Sequence, residues 1–174
     1  MDRIMKKVAV IMCVVLIPLS AVSAADFSTA IHIGIETDPL STVVLSGGAD
    51  MRMLGGRGVF GSAVSVDYLP SNPKNYHATP GDLFLISAYA LVQASILYGD
   101  LTFYLGPGTS IYVMPGTGIF STIGEDGILH ARAGAAYNLY PLQLFLEAEI
   151  DIAPATFTFN FAAPRVKLGV GILQ

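Results

Sequence analysis

The fold is decided by residues 127–152, GILHARAGAAYNLYPLQLFLEAEIDI. Before Tyr140 the odd positions Leu129, Ala131, Ala133, Ala135 and Tyr137 are apolar, while the even positions carry His130, Arg132 and Asn138. After Pro141 the parity reverses: Leu142, Leu144, Leu146, Ala148 and Ile150 are apolar, and Gln143, Glu147, Glu149 and Asp151 are polar. A period of two is the mark of a β-strand, whose successive side chains point to opposite faces. A two-residue turn at Tyr140-Pro141 makes facing residue numbers sum to 281, an odd number, so even positions face odd ones and the phase must switch. That register sets Arg132 against Glu149 and His130 against Asp151, bases opposite acids on one face of a hairpin.

The same alternation runs through the rest of the chain after residue 24, with no helical period of any length. Phe27 to Glu36 places Phe27, Thr29, Ile31, Ile33 and Ile35 opposite Ser28, Ala30, His32, Gly34 and Glu36. Val43 to Leu54 sets Val43, Leu45, Met51 and Met53 against Ser46, Gly48, Asp50 and Arg52. Gly55-Gly56 then reads as a tight turn into a third strand, with Phe60, Val64, Val66 and Tyr68 opposing Arg57, Gly61, Ala63, Ser65 and Asp67. Leu83 to Tyr98 is apolar throughout, but Ser87, Tyr89, Gln93 and Ser95 all fall on odd positions, which makes it one long strand turning at Gly99-Asp100. Leu101 to Met114 follows, interrupted at Gly106-Pro107-Gly108, where a proline marks either a kink or the end of pairing. Arg165 to Gln174 closes the series with Val166, Leu168, Val170 and Ile172 opposed by Arg165, Lys167, Gly169 and Gly171. The turns at 55–56 and 99–100 give sums of 111 and 199, again odd, and both phase switches obey them.

These segments predict an all-β, antiparallel up-and-down barrel of about eight strands. Alternation alone does not say which face is outside, because a soluble barrel turns its apolar face inward. Side-chain size does. The polar face is crowded with Gly34, Gly48, Gly61, Ala63, Gly106, Gly108, Gly134, Gly169 and Gly171, as suits the narrow interior of about eight strands. The Ile, Leu, Val and Phe side chains of the other face would overfill such an interior but fit freely against lipid, and closure satisfies every backbone group there. The strands are therefore expected to be transmembrane, with Phe27, Tyr68, Tyr98 and Tyr137 near the interfaces. Short turns at 55–56, 99–100 and 140–141 alternate with loops of about twelve residues at 70–81, 115–126 and 153–164, which orients the turns to the periplasm and the loops outward.

Composition agrees. Of 174 residues, 53% are hydrophobic and 13% charged. Residues 1–24 read as a cleaved secretory signal: Arg3, Lys6 and Lys7 precede an apolar run from Val8 to Leu19, and Val22-Ser23-Ala24 supplies the small residues a peptidase needs. The single cysteine, Cys13, lies inside that signal, so residues 25–174 hold no thiol for a disulfide, a metal or a nucleophile. Removing the signal takes one acid and three bases from 13 acids and 9 bases, and the remaining chain carries a net charge of −6, a poor match for nucleic acid.

The segments LTFYLGPGTSIYV (101–113) and ARAGAAYNLYPLQLFLEAEI (131–150) resemble the small outer-membrane barrels of the OmpA, OmpX and OmpW kind. The resemblance implies an outer-membrane location, contact with membrane lipid and lipopolysaccharide, and recognition of the C-terminal strand by the barrel-assembly machinery. Lys167, Gly169 and Ile172 match the family's C-terminal insertion signal, and Gln174 departs from its terminal aromatic.

Candidate chemistry lies on the polar face. Six acids, Glu36, Asp50, Asp67, Glu147, Glu149 and Asp151, share it with five bases, Arg52, Arg57, Arg132, Arg165 and Lys167, and with His130. Buried charges in a narrow barrel pair to avoid uncompensated burial, so this set reads as a lumen charge network that fills the interior. Two sharper readings compete with it. Glu147, Glu149 and Asp151 are oxygen ligands for a divalent cation, but five bases compete for them. His130 beside Arg132, Glu149 and Asp151 has the makings of proton transfer, and a lipid-modifying enzyme would require a serine, a histidine and an acid near the outer rim, with His32, His77 and His130 the only imidazoles. The reading adopted is non-enzymatic and free of cofactors and metals: a structural or surface-interaction barrel, with a narrow or lateral channel for small or hydrophobic solutes as the alternative and a lipid-modifying enzyme after it. Loops 70–81, 115–126 and 153–164 are the segments expected to meet an extracellular ligand.

Overall fold

The computed structural model describes residues 27–37, 43–54, 59–70, 82–114, 118–121, 128–153 and 158–174. Eight long strands form the barrel: β1 (Phe27–Thr37), β2 (Val43–Met53), β3 (Phe60–Leu69), β4 (Leu83–Ile96), β5 (Leu101–Met114), β7 (Ile128–Leu139), β8 (Leu142–Ala153) and β9 (Thr158–Leu173). A short strand, β6 (Gly118–Ser121), pairs with the far end of β5. Among the described residues every pairing is antiparallel; the long strands pair in chain order, with β5 paired to β7 past the short β6, and β1 pairs with β9 to close the sheet. Closure leaves no long strand with a free edge, which is the condition for a sheet to stand in hydrocarbon.

The two faces separate as alternation requires. Ile31, Ile33, Leu45, Leu105, Leu146 and Leu168 point outward, with Ile33 and Leu45 each 69% exposed. Asp50, Arg52, Asp67, Arg132, Glu147, Glu149, Arg165 and Lys167 point inward, none more than 2% exposed. The barrel is apolar outside and charged within, the reverse of a soluble barrel. Leu83 to Ile96 is a single strand with its odd positions Leu85, Ser87, Tyr89, Leu91 and Gln93 buried, and Leu97 to Asp100 form a turn, closed by the Asp100 N–H donating to the Leu97 carbonyl, rather than strand.

The register agrees with the sequence reading at one turn and corrects it at two. Leu139 pairs with Leu142, Arg132 with Glu149 and His130 with Asp151, as a turn at Tyr140-Pro141 requires. A Gly55-Gly56 turn would pair Met53 with residue 58; instead Met53 pairs with Ser62. A Gly99-Asp100 turn would pair Ile96 with Phe103; instead Ile96 pairs with Leu101, and the turn is the four residues Leu97 to Asp100. Both slips are even, so every side chain stays on its face. Leu97 and Tyr98 adopt positive φ (53° and 59°), and Gly99 follows at φ 104°, a conformation glycine takes at no steric cost.

Three further departures are local. Pro107 does not end pairing: Tyr89 pairs with Gly108 and Val92 with Leu105 in one register, and β5 stays paired with β7 through Gly106 and Pro107. Only the β4 ladder skips Ala90 and Leu91, without a bulge. A Cβ at Gly106 would collide with the Ala90 carbonyl, so the close approach of β4 depends on glycine there. The expected loop 115–126 contains β6. The expected loop 153–164 is mostly strand, since β9 begins at Thr158; its register shifts between Glu149↔Arg165 and Asp151↔Asn160, leaving residues 161–164 opposite Ile150. Pro164 lies in that bulge, where a missing backbone donor costs no ladder bond. The proposed signal at 1–24, the Gly55-Gly56 pair and, of the loop 70–81, residues 71–81 with His77 lie outside the described residues.

Candidate functional site

The inward positions of six strands converge on one charged centre. β2 supplies Asp50 and Arg52, β3 Asp67, β7 Arg132, β8 Glu147 and Glu149, and β9 Arg165 and Lys167; β1 adds His32. Four carboxylates thus meet four cations. Moving any one of these charges out of water costs several kcal/mol, so the set is stable only as a set.

Glu149 is its hub. Arg132 approaches Glu149 Oε1 through Nε at 2.9 Å and Nη2 at 2.8 Å, Lys167 Nζ lies 3.3 Å from the same oxygen, and Arg165 Nη1 lies 2.9 Å from Oε2. Tyr89 donates its hydroxyl to Oε1 at 2.5 Å. Glu147 is held by Arg52 Nη2 at 3.1 Å and by the Tyr104 hydroxyl at 2.6 Å, with Arg132 Nη1 at 3.5 Å. Asp50 takes Arg52 at 3.0 Å and Arg132 at 3.5 Å, and Asp67 takes Lys167 at 2.9 Å. His32 stands between the two aspartates: Nε2 is 2.6 Å from Asp67 Oδ1, and Nδ1 is 2.5 Å from Asp50 Oδ2. Facing cross-strand residues are not always the partners: Lys167 lies opposite Glu147 in register yet reaches Asp67 and Glu149 instead.

Aromatic rings complete the packing. The Arg52 guanidinium carbon lies 3.2 Å from the centre of the Phe145 ring, and that of Arg132 lies 3.8 Å from the Tyr89 ring, cation–π contacts between buried side chains. The rings have room because the wall beside them is glycine: a Cβ at Gly169 would strike Phe145, one at Gly108 would strike Tyr89, and one at Gly134 would strike Tyr104.

A second polar group lies toward the loop end, on β4, β5, β7 and β8. Ser110 Oγ is 2.6 Å from His130 Nε2, and His130 Nδ1 is 2.9 Å from Asp151 Oδ1. Ser87 Oγ lies 2.6 Å from Ser110 Oγ. Next to the serines, and farther toward the loops, Leu85 and Tyr112 pair across β4 and β5 and join Leu69 and Leu83 in a buried apolar cluster. At the opposite end Ser28 donates to Gln143, and Gln143 donates to Asn138.

Of the twelve residues read from the sequence, the structure brings Asp50, Arg52, Asp67, Arg132, Glu147, Glu149, Arg165 and Lys167 into one network and sets His130 with Asp151 apart from it. The side chain of Glu36 and all of Arg57 lie outside the described residues. Glu147, Glu149 and Asp151 do not converge, and among the described residues no group of three His, Cys, Asp or Glu is placed to hold a metal ion. Sequence reasoning missed His32 as a member of the centre, and it missed Tyr89, Tyr104, Phe145 and Ser110. Their inward parity was visible; their partners sit on strands far away in sequence.

No family model and no curated protein matches the chain in sequence. Solved structures match in fold. Neisserial surface protein A is 16% identical over 85% of this chain and 95% of its own, with a TM-score of 0.54. The N-terminal β-barrel domain of Pseudomonas aeruginosa OprF is 12% identical over 84% and 97%, with a TM-score of 0.47. Ail, the attachment invasion locus protein of Yersinia pestis, solved with the heparin analogue sucrose octasulfate, is 15% identical over 86% and 97%, with a TM-score of 0.47. The likeness to the Neisserial protein establishes the shared eight-stranded barrel, and the resemblance read from the sequence holds at that level.

Proposed function

We propose that the chain is an integral outer-membrane barrel whose interior is closed by ion pairs and whose role is structural or surface-interacting rather than conductive. The supporting observation is the inversion of the barrel: the outward face carries Ile31, Ile33, Leu45, Leu105 and Leu168 in a continuous belt, while eight formal charges lie within at 2% exposure or less. A soluble protein rarely shows an apolar patch beyond a few hundred Å². A belt around the whole barrel calls for hydrocarbon. In this reading residues 1–24 are removed on export, the short turns face the periplasm, and the segments at 70–81, 115–126 and 153–164 meet lipopolysaccharide or an extracellular ligand. The C-terminal strand β9 would be the segment read by the assembly machinery.

Closure rests on the centre just described, because its cations and carboxylates hold one another across the lumen and leave no charge free to pass an ion along. The test is conductance. Purified barrel in planar lipid bilayers should show no steady current, and Glu149→Ala should admit one; a steady current in the unaltered protein rejects the closed interior and favours a narrow channel.

A further inference from the structure

We propose that Ser110, His130 and Asp151 form a nucleophile, base and carboxylate relay that hydrolyses carboxylic esters with apolar acyl groups at the loop end of the barrel. The atoms are the ones such chemistry uses. Ser110 Oγ meets His130 Nε2 at 2.6 Å, and the other ring nitrogen, Nδ1, meets Asp151 Oδ1 at 2.9 Å. With the Nδ1 proton held by the carboxylate, Nε2 is left with its lone pair toward the serine, the tautomer a general base requires. This group is separate from the charged centre and from the structural role assigned to it, so either reading stands without the other.

Position in the barrel gives the arrangement a direction. His130 and Asp151 face each other across β7 and β8, and Ser87 and Ser110 face each other across β4 and β5. Asp151 retains 21% side-chain exposure, whereas His130 is fully buried and Ser110 is 1% exposed. Asp151 is therefore the member of the relay most open to solvent, and Ser110 and His130 are its buried members. Leu85 and Tyr112 pair directly beside the two serines and, with Leu69 and Leu83, form the apolar cluster there. An acyl chain arriving from the loop side would displace these side chains and take over their packing, which selects an apolar acyl group over a charged one. Ser87 Oγ, 2.6 Å from Ser110 Oγ, is the hydroxyl that can donate to Ser110 while Ser110 donates to His130 Nε2.

The chemistry balances with water alone. Ser110 Oγ attacks the ester carbonyl while its proton passes to His130 Nε2. The alcohol departs with that proton, leaving an acyl group on Ser110. Water, deprotonated by His130, then releases the acid and restores the serine. Asp151 is a positioning residue, because it acts only through the imidazole.

Two measurements on the folded barrel in detergent test this. A small, apolar fluorophosphonate should label the unaltered protein at Ser110, located by peptide mass, and p-nitrophenyl butyrate should be hydrolysed faster than by Ser110→Ala. His130→Ala should abolish labelling. Asp151→Asn should slow labelling at least tenfold and displace its pH profile, which loss of a merely structural contact would not do. Heat-modifiable gel migration confirms that each variant is folded. No adduct on Ser110 of the folded, unaltered protein, or hydrolysis undiminished in Ser110→Ala, overturns the proposal, and neither result bears on the conductance experiment.

Discussion

Replacing Glu149 with alanine removes the carboxylate that Arg132, Arg165, Lys167 and Tyr89 all touch within 3.3 Å. The balance of four acids and four bases becomes three against four. Asp67 keeps Lys167; Arg132 keeps the 3.5 Å contacts to Asp50 and Glu147 and a 3.4 Å hydrogen bond to Ser65, and Arg165 keeps its 3.9 Å contact to Asp67, each of these arginine contacts longer than those lost. Removing one partner of a buried pair costs about 3–5 kcal/mol, since the survivor stays buried and uncompensated. The alanine variant should lose stability of this order, read as a lower urea midpoint for the folded band in detergent. Glu149→Ala combined with Arg132→Ala should cost less than the sum of the two single changes, because the second deletion removes the uncompensated charge left by the first. Additive losses, or a single loss below about 1 kcal/mol, would show that the charges are solvated rather than mutually held, and the account of the closed interior would fail.

Other expected outcomes follow from geometry. Ile33→Arg places a charge on the outward face and should cost about 2–4 kcal/mol if that position lies near the bilayer midplane, measured by equilibrium folding into lipid vesicles; a neutral effect would contradict a hydrocarbon-facing belt. Gly106→Ala drives a methyl group into the Ala90 carbonyl and should separate β4 from β5, seen as loss of the heat-modifiable band. Gly99→Ala has open space around it but a φ of 104°, so it should fold and lose only about 1–2 kcal/mol, separating torsional cost from collision.

The alternation of apolar and polar residues made each strand's phase legible, and phase is what assigned the lumen charges. It did so even where register was misread. Parity detects a slip of one residue, which would turn every side chain around, but it cannot detect the even slips found at residues 53–62 and 96–101. Where the turn was right, at Tyr140-Pro141, the pairs Arg132–Glu149 and His130–Asp151 were right as well. The Ser110–His130 contact was out of reach because it depends on the offset of β5 against β7, two strands whose connecting segment 115–127 carries a strand of its own. Phe145 was overlooked for a different reason: a large ring on a face otherwise rich in glycine breaks the size rule, and only its place beside Gly169 explains how it fits.

The lodging of Phe145 beside Gly169, Tyr89 beside Gly108 and Tyr104 beside Gly134 also constrains how such a sequence is able to drift. Each ring and its glycine lie on different strands, so no single mutation exchanges them. Adding a side chain first meets a ring, and trimming the ring first opens a hole beside a buried guanidinium or carboxylate. Related sequences should therefore change these pairs together or keep them together, a covariation spanning the barrel wall that an alignment deep enough to include substitutions at Gly108, Gly134 or Gly169 would reveal.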